Sequence, residues 1–204
     1  MSLSPASARR PGPLTIVAVL GLLLGLQPVT TDLYLPALPG LAAELGAPMA
    51  AAQLTLSALM LAFGFGQLLL GPVADLLGRR PVLVGGLTLY AFASAACTAA
   101  GSIDVLILLR VLQGVGMAAV VVCARAMVRD FFEPHEGAGV MSKALSGLGV
   151  IALSSPVVGG LLAAAFGWRA ALALTGVYAA LTLAVVMAAM PESIPLRNRH
   201  ALHP

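Results

Sequence analysis

Charge is what this chain of 204 residues has least of. Only 9% of its residues are Asp, Glu, Lys or Arg, against about 25% in a soluble domain. With 60% hydrophobic residues and a mean hydropathy of +1.01, a water-soluble fold is excluded, because one core of this size cannot hide so much apolar surface. The two cysteines, Cys97 and Cys123, stand inside apolar runs without CxxC spacing, so they read as small buried hydrophobes and not as a disulfide or metal pair. The three histidines, His135, His200 and His203, fall in polar gaps or the tail without ligand spacing. No nucleophile elbow, phosphate loop or HExxH occurs, so nothing points to an enzyme, a cofactor or a metal. The net charge of +3 does not mark a nucleic-acid binder. The basic residues sit in short gaps between apolar runs, which is how membrane proteins set their orientation.

What is present is a set of long apolar segments. A spanning helix needs about 20 apolar residues, and six segments qualify: 14–36, 50–72, 81–100, 103–124, 140–165 and 170–190. The fold class expected is therefore an all-α membrane protein, a bundle over 14–190 with tails at 1–13 and 191–204. Arg9 and Arg10 before the first segment resemble the start of a signal peptide. No small-x-small cleavage site follows cleanly, so the first segment is read as a retained helix. Arg9, Arg10, Arg79, Arg80, Arg125, Arg129, Lys143, Arg197 and Arg199 all fall on one side if the N-terminus is cytoplasmic. The other side receives only Arg169, and Arg110 lies within the fourth segment. The positive-inside rule then assigns both termini to the cytoplasm.

An internal echo accompanies this pattern. Gly71, Ala74, Gly78, Arg80 and Leu83 recur 89 residues on as Gly160, Ala163, Gly167, Arg169 and Leu172. The first set joins segments 2 and 3 and the second joins segments 5 and 6, on opposite sides of the membrane. That predicts two three-helix units in inverted topology, a transporter architecture. Asp75 corresponds to Ala164, so the acid exists only in the cytoplasmic copy.

Three motifs carry a resemblance. Gly71, Asp75, Gly78, Arg79 and Arg80 follow a G-x-x-x-D-x-x-G-R-[RK] pattern between segments 2 and 3. Arg110, Gln113, Gly114 and Gly116 form an Arg…Gln-Gly run in segment 4. The stretch Thr31-Asp32-Leu-Tyr34-Leu-Pro36-Ala-Leu-Pro39 closes segment 1. Together they resemble the major facilitator superfamily, and within it the Bcr/CflA group of bicyclomycin and chloramphenicol exporters, as does the run 124–130. Segment 5 departs from the antiporter motif: Ser155 stands where Gly precedes Pro156, and Gly159 and Gly160 follow. The superfamily has twelve helices; six segments resemble its N-terminal half.

The resemblance implies a drug:proton antiporter in a bacterial inner membrane. Its partners would be lipid, a small apolar or cationic drug, protons, and a second six-helix bundle supplied by a missing half or a second copy. Conformational gating would fall to Gly71, Asp75, Gly78, Arg79, Arg80, Arg125, Arg129 and Asp130, with Asp75 expected to pair with Arg129 or Arg125 and Arg79 with Asp130. A solvated loop whose arginines only set topology is the plain alternative. Tyr34, Gln53, Met60, Gln113 and Met117 are expected to line a substrate cavity, although core or lipid contact fits each as well. The sharpest candidates are Asp32 and Arg110, since a charge within a span costs roughly 2.5–3.5 kcal/mol and is commonly paired or functional. At 1.5 Å per residue, Asp32 lies about 6 Å and Arg110 about 10 Å below the outer boundary. The expectation is an ion pair between them, loosened when drug enters so that Asp32 takes a proton. Two other functions suit the same scaffold: a non-transporting membrane half that modulates a partner, and a metabolite or sugar carrier.

Overall fold

The computed structural model describes residues 13–189. Expectations that rest on Arg9, Arg10, Arg197, Arg199, His200 and His203 lie outside the described residues. Within them the chain is helical: α1 (Pro13–Thr31), a 3-10 turn (Leu35–Ala37), α2 (Leu38–Glu44), α3 (Met49–Leu77), α4 (Arg79–Thr98), α5 (Ile103–Phe131), α6 (Pro134–Phe166) and α7 (Trp168–Ala189). Six helical stretches are long and apolar enough to cross a membrane. Helices suit that medium because each backbone N–H finds its acceptor within its own segment.

The elements outrun the expected segments at the end of the bundle that carries Arg79 and Arg125. α3 continues through Pro72 to Leu77, α5 continues past Ala124 to Phe131, and α6 begins at Pro134 and not near 140. A helix of 29 residues exceeds the roughly 20 that a bilayer needs, so its charged last turns reach water without leaving the helix. The gap of 73–80 expected between segments 2 and 3 shrinks to Gly78 alone. Its φ of 101° is open to glycine at no steric cost.

α5 is the axis of the bundle. It packs along α3 and α4, while α4 also packs on α7, and α1 lies between α6 and α7. Small residues permit these approaches. A Cβ on Gly116 would lie 2.8 Å from the Gly86 carbonyl oxygen and 2.9 Å from the Tyr90 nitrogen, which brings the α4 and α5 backbones together. The large apolar residues Leu61, Phe65 and Leu68 of α3, and Leu153 and Leu161 of α6, point outward.

The inverted repeat is visible in the bonding. Gly78 and Gly167, 89 residues apart, both adopt positive φ (101° and 79°). Each donates its N–H to the residue four earlier, Ala74 and Ala163, at 3.1 Å. Arg80, starting α4, reaches the carbonyl of Met187 near the end of α7 at 3.4 Å. Arg169, starting α7, reaches the carbonyl of Thr98 at the end of α4 at 3.0 Å. Met187 lies 89 residues after Thr98, so the two contacts are images of one another. Each places a cation on the negative end of the antiparallel partner helix, which contributes about 0.3–1 kcal/mol. Leu83 and Leu172 are fully buried in both copies.

Candidate functional site

Arg110 lies eight residues into α5 and is fully buried. Its Nη1 donates to Gln113 Oε1 at 2.7 Å, one helical turn on. The guanidinium carbon sits 4.0 Å from the centroid of the Tyr34 ring. Nε and Nη2 have no hydrogen-bond partner among the described residues. A satisfied polar shell surrounds this incompletely satisfied cation. Gln113 Nε2 donates to Ser94 Oγ at 2.7 Å and to Thr175 Oγ1 at 3.4 Å. Thr55 donates to the Ala52 carbonyl at 2.6 Å, so its one hydroxyl proton is committed, and the 2.8 Å bond with Tyr34 is donated by the tyrosine. By the same reasoning Tyr90 donates to Thr30 at 2.6 Å, because Thr30 donates to the Leu26 carbonyl. Thr30, Thr55, Tyr90, Ser94, Gln113 and Thr175 are all fully buried. Five of the six spans, all but α6, together with the turn carrying Tyr34, thus converge on one guanidinium.

The expected ion pair with Asp32 is not formed. Helix α1 ends at Thr31, and Asp32 opens the turn that follows, its N–H donating to the Pro28 carbonyl at 2.8 Å. Its carboxylate is half-buried and accepts from the Thr31 hydroxyl at 2.8 Å. Rotation through the turn sends Tyr34 inward instead, and its ring takes the place under Arg110. Tyr34, Gln113 and Met117 were expected on a cavity wall and are instead fully buried in the bundle. Of the other two, Gln53 is exposed on α3 and Met60 half-buried.

The segment 5 motif meets this turn directly. Pro156 is exposed inside α6, while Gly159 is buried with its Cα against the Leu33 backbone. Gly160 faces Pro36 with room to spare. Gly159 and Gly160 therefore pack on Leu33 and Pro36, the residues that flank Tyr34 in the turn after α1.

At the opposite end of the bundle from Asp32, Arg79 is buried at the start of α4. It pairs with Asp75 across the Gly78 break and with Asp130 of α5, the latter at 3.3 Å. The Arg79–Asp130 contact is the one expected. Asp75, however, meets Arg79 and neither Arg125 nor Arg129, because α3 stays helical to Leu77 and aims the acid at the next helix start. Arg125 reaches Gln67 Oε1 at 3.4 Å. A cleft of about 1020 Å³ opens between the inner ends of α5 and α6, lined by Arg125, Arg129, Asp130, Phe131, Glu133 and Glu136 among others. Since Arg79 has two carboxylates, removing one leaves it paired. Asp75→Asn is expected to cost about 0–1 kcal/mol, as for an exposed pair. Arg79→Ala, which removes the cation from both acids and empties a buried site, costs more, about 1–3 kcal/mol. Unfolding in mixed detergent micelles measures both.

Sequence reasoning missed Thr30, Thr55, Tyr90 and Thr175 as a shell. The available signal was a tyrosine and several threonines at mid-span, where a polar side chain needs a partner. Glu44 and Trp168 were missed because neither sits in a quoted motif.

Comparison with known proteins gives consistent matches. The model of the Major Facilitator Superfamily matches residues 16–202. The chain is 40% identical over 146 residues to a chloramphenicol resistance protein of Pseudomonas aeruginosa, which covers 71% of this chain and 35% of that protein. It is 31% identical over 183 residues to a bicyclomycin resistance protein homolog of Haemophilus influenzae, covering 90% of this chain and 46% of that one. The chain thus spans less than half the length of these curated relatives. The solved structure of the proton:xylose symporter XylE superposes with a TM-score of 0.77 at 17% identity, covering 89% of this chain and 45% of that one, which speaks to fold alone.

Proposed function

The chain belongs to the Major Facilitator Superfamily, and on that premise we propose that it forms one six-helix bundle of a two-bundle, proton-coupled drug exporter in a bacterial inner membrane. The observation that carries this reading is the fully buried Arg110 with two donors unused. An unspent cation at depth is costly and points to a functional role. The drug-resistance relatives suggest the substrate class, small apolar or cationic antibiotics. A binding site in this architecture lies between repeats or bundles near the midplane, so a second bundle, from a missing C-terminal half or a second copy of this one, completes it.

The proposed coupling uses Asp32 and Arg110 without a direct ion pair. Asp32 stands in a turn whose next inward residue, Tyr34, holds the Arg110 face. Drug entry presses on this turn and displaces the Asp32 carboxylate, the group to which this reading assigns the proton. Proton and drug then alternate at one turn, so that inward proton flow drives drug outward. At the opposite end of the bundle, Arg79, Asp75 and Asp130 serve as an inner gate hinged at Gly78, with Arg80, Gly71, Arg125 and Arg129 at its rim. The test is transport in everted vesicles holding the chain with a second six-helix bundle. Chloramphenicol is expected to accumulate when a proton gradient is imposed and to leak out when it is collapsed. Accumulation indifferent to the gradient, or undiminished in Asp32→Asn, would remove the proposal.

A further inference from the structure

On the outer face, the last residue of α2 and the first two of α7 form a cluster that no expectation covered. Glu44 accepts from both neighbours at once: Trp168 Nε1 donates to its Oε2 at 2.9 Å, and Arg169 Nη1 pairs with its Oε1. The same guanidinium lies 4.3 Å from the Trp168 ring centroid and donates to the carbonyls of Thr98 and Ala100 at 3.0 and 3.4 Å. One cation therefore ties together the outer ends of α2, α4 and α7. Trp168 is buried in the same apolar cluster as Tyr34, Leu38 and Leu41. Only the 3-10 turn and α2 separate Tyr34 from Glu44 along the chain. A pair this exposed, with the Arg169 and Glu44 side chains 39% and 52% accessible, contributes little to stability. Its effect is geometric: it holds a seven-residue helix, too short to be stable alone, against the bundle.

We propose that Glu44, Trp168 and Arg169 are positioning residues, an outer latch that fixes α2 and thereby sets Tyr34 beneath Arg110. The latch deepens the reading above, because it gives the Arg110 site a mechanical input from the outer surface. It is also the topological counterpart of the inner cluster. There the α3–α4 joint of the first repeat grips α5, which opens the second. Here the α6–α7 joint of the second repeat grips α2, which follows the first helix of the first.

Trp168 is the chain's one tryptophan, so its emission reports the latch without labelling. The full chain in lipid nanodiscs serves as the sample. Coupling between two sites is reciprocal, so Arg110→Met and Tyr34→Phe, which leave every latch residue in place, are expected to shift the Trp168 emission. Asp104→Asn, an exposed outer acid outside the latch, is expected to leave it unchanged. In the other direction, Glu44→Ala is expected to raise hydrogen exchange at the amides of 33–38 about tenfold, as local opening does, and Glu44→Gln, which keeps one acceptor, less so. Emission unmoved by both site variants, or faster exchange confined to residues 41–46, overturns the latch. Neither readout requires transport. Absent drug export with a responsive Trp168 would count against the exporter reading and leave the latch standing.

Discussion

Gly159→Ala is expected to abolish drug export and to destabilise the bundle. A Cβ at residue 159 would fall within contact of the Leu33 carbonyl oxygen, 2.7 Å from the carbonyl carbon and 2.9 Å from Cα. All three atoms are backbone, so no side chain can swing aside. Either α6 retreats from α1 or the turn that carries Asp32 and Tyr34 moves. Overpacking of this kind costs about 1–3 kcal/mol, and helix propensity returns only about 1 kcal/mol for replacing a helical glycine. The neighbouring substitution is the control. At Gly160 the added methyl would meet Pro36 Cβ at an ordinary 3.8 Å, so Gly160→Ala is expected to be neutral or slightly stabilising. Thermal unfolding in detergent, with export measured in parallel, separates them. Equal tolerance of both alanines would mean that the turn does not depend on the close contact.

Arg110→Met is expected to lower stability only modestly, by about 0–3 kcal/mol, while ending proton-coupled export. Two opposing effects set the sign. Removing the guanidinium costs Gln113 Oε1 its donor, about 1–3 kcal/mol, and Tyr34 its cation, about 2 kcal/mol. Against this, a charge with two orphan donors leaves a dry site, and replacement of buried charge by a well-packed hydrophobe is commonly neutral or gains 1–4 kcal/mol, roughly. Methionine fills much of the volume with an adaptable chain. Arg110→Lys keeps the charge but loses the planar fork that bonds Gln113 and stacks on Tyr34, so it is expected to export poorly as well. A large loss of stability in Arg110→Met, with residual export, would show that the arginine is a structural strut.

The spans were legible because a bilayer demands about 20 apolar residues in a row, and that demand is written residue by residue. Their cytoplasmic ends were not, because a helix that passes into water obeys no such composition. Asp75, Arg125 and Asp130 are as helical as the residues before them. Pro72 reads as a turn in a soluble chain, yet neighbouring helices shelter it here and α3 runs on. The inverted repeat was legible at Gly78 and Gly167, since a helix break at positive φ leaves glycine as its signature. The contact of Asp32 with Arg110 was misjudged because rise per residue gives depth and not azimuth. Two residues of turn were enough to trade an acid for Tyr34. The polar residues Thr30, Thr55, Tyr90 and Thr175 signalled a need for partners but not which ones, because the partners come from different helices and only the packing brings them together.

The most direct test is infrared difference spectroscopy on the assembled bundles in lipid as chloramphenicol is added. The account predicts a drug-induced change in a protonated-carboxyl band that disappears in Asp32→Asn and is lost or strongly reduced in Arg110→Met. A band that persists in Asp32→Asn, or drug binding with no carboxyl change at all, would contradict the assignment of proton coupling to this turn and its buried arginine.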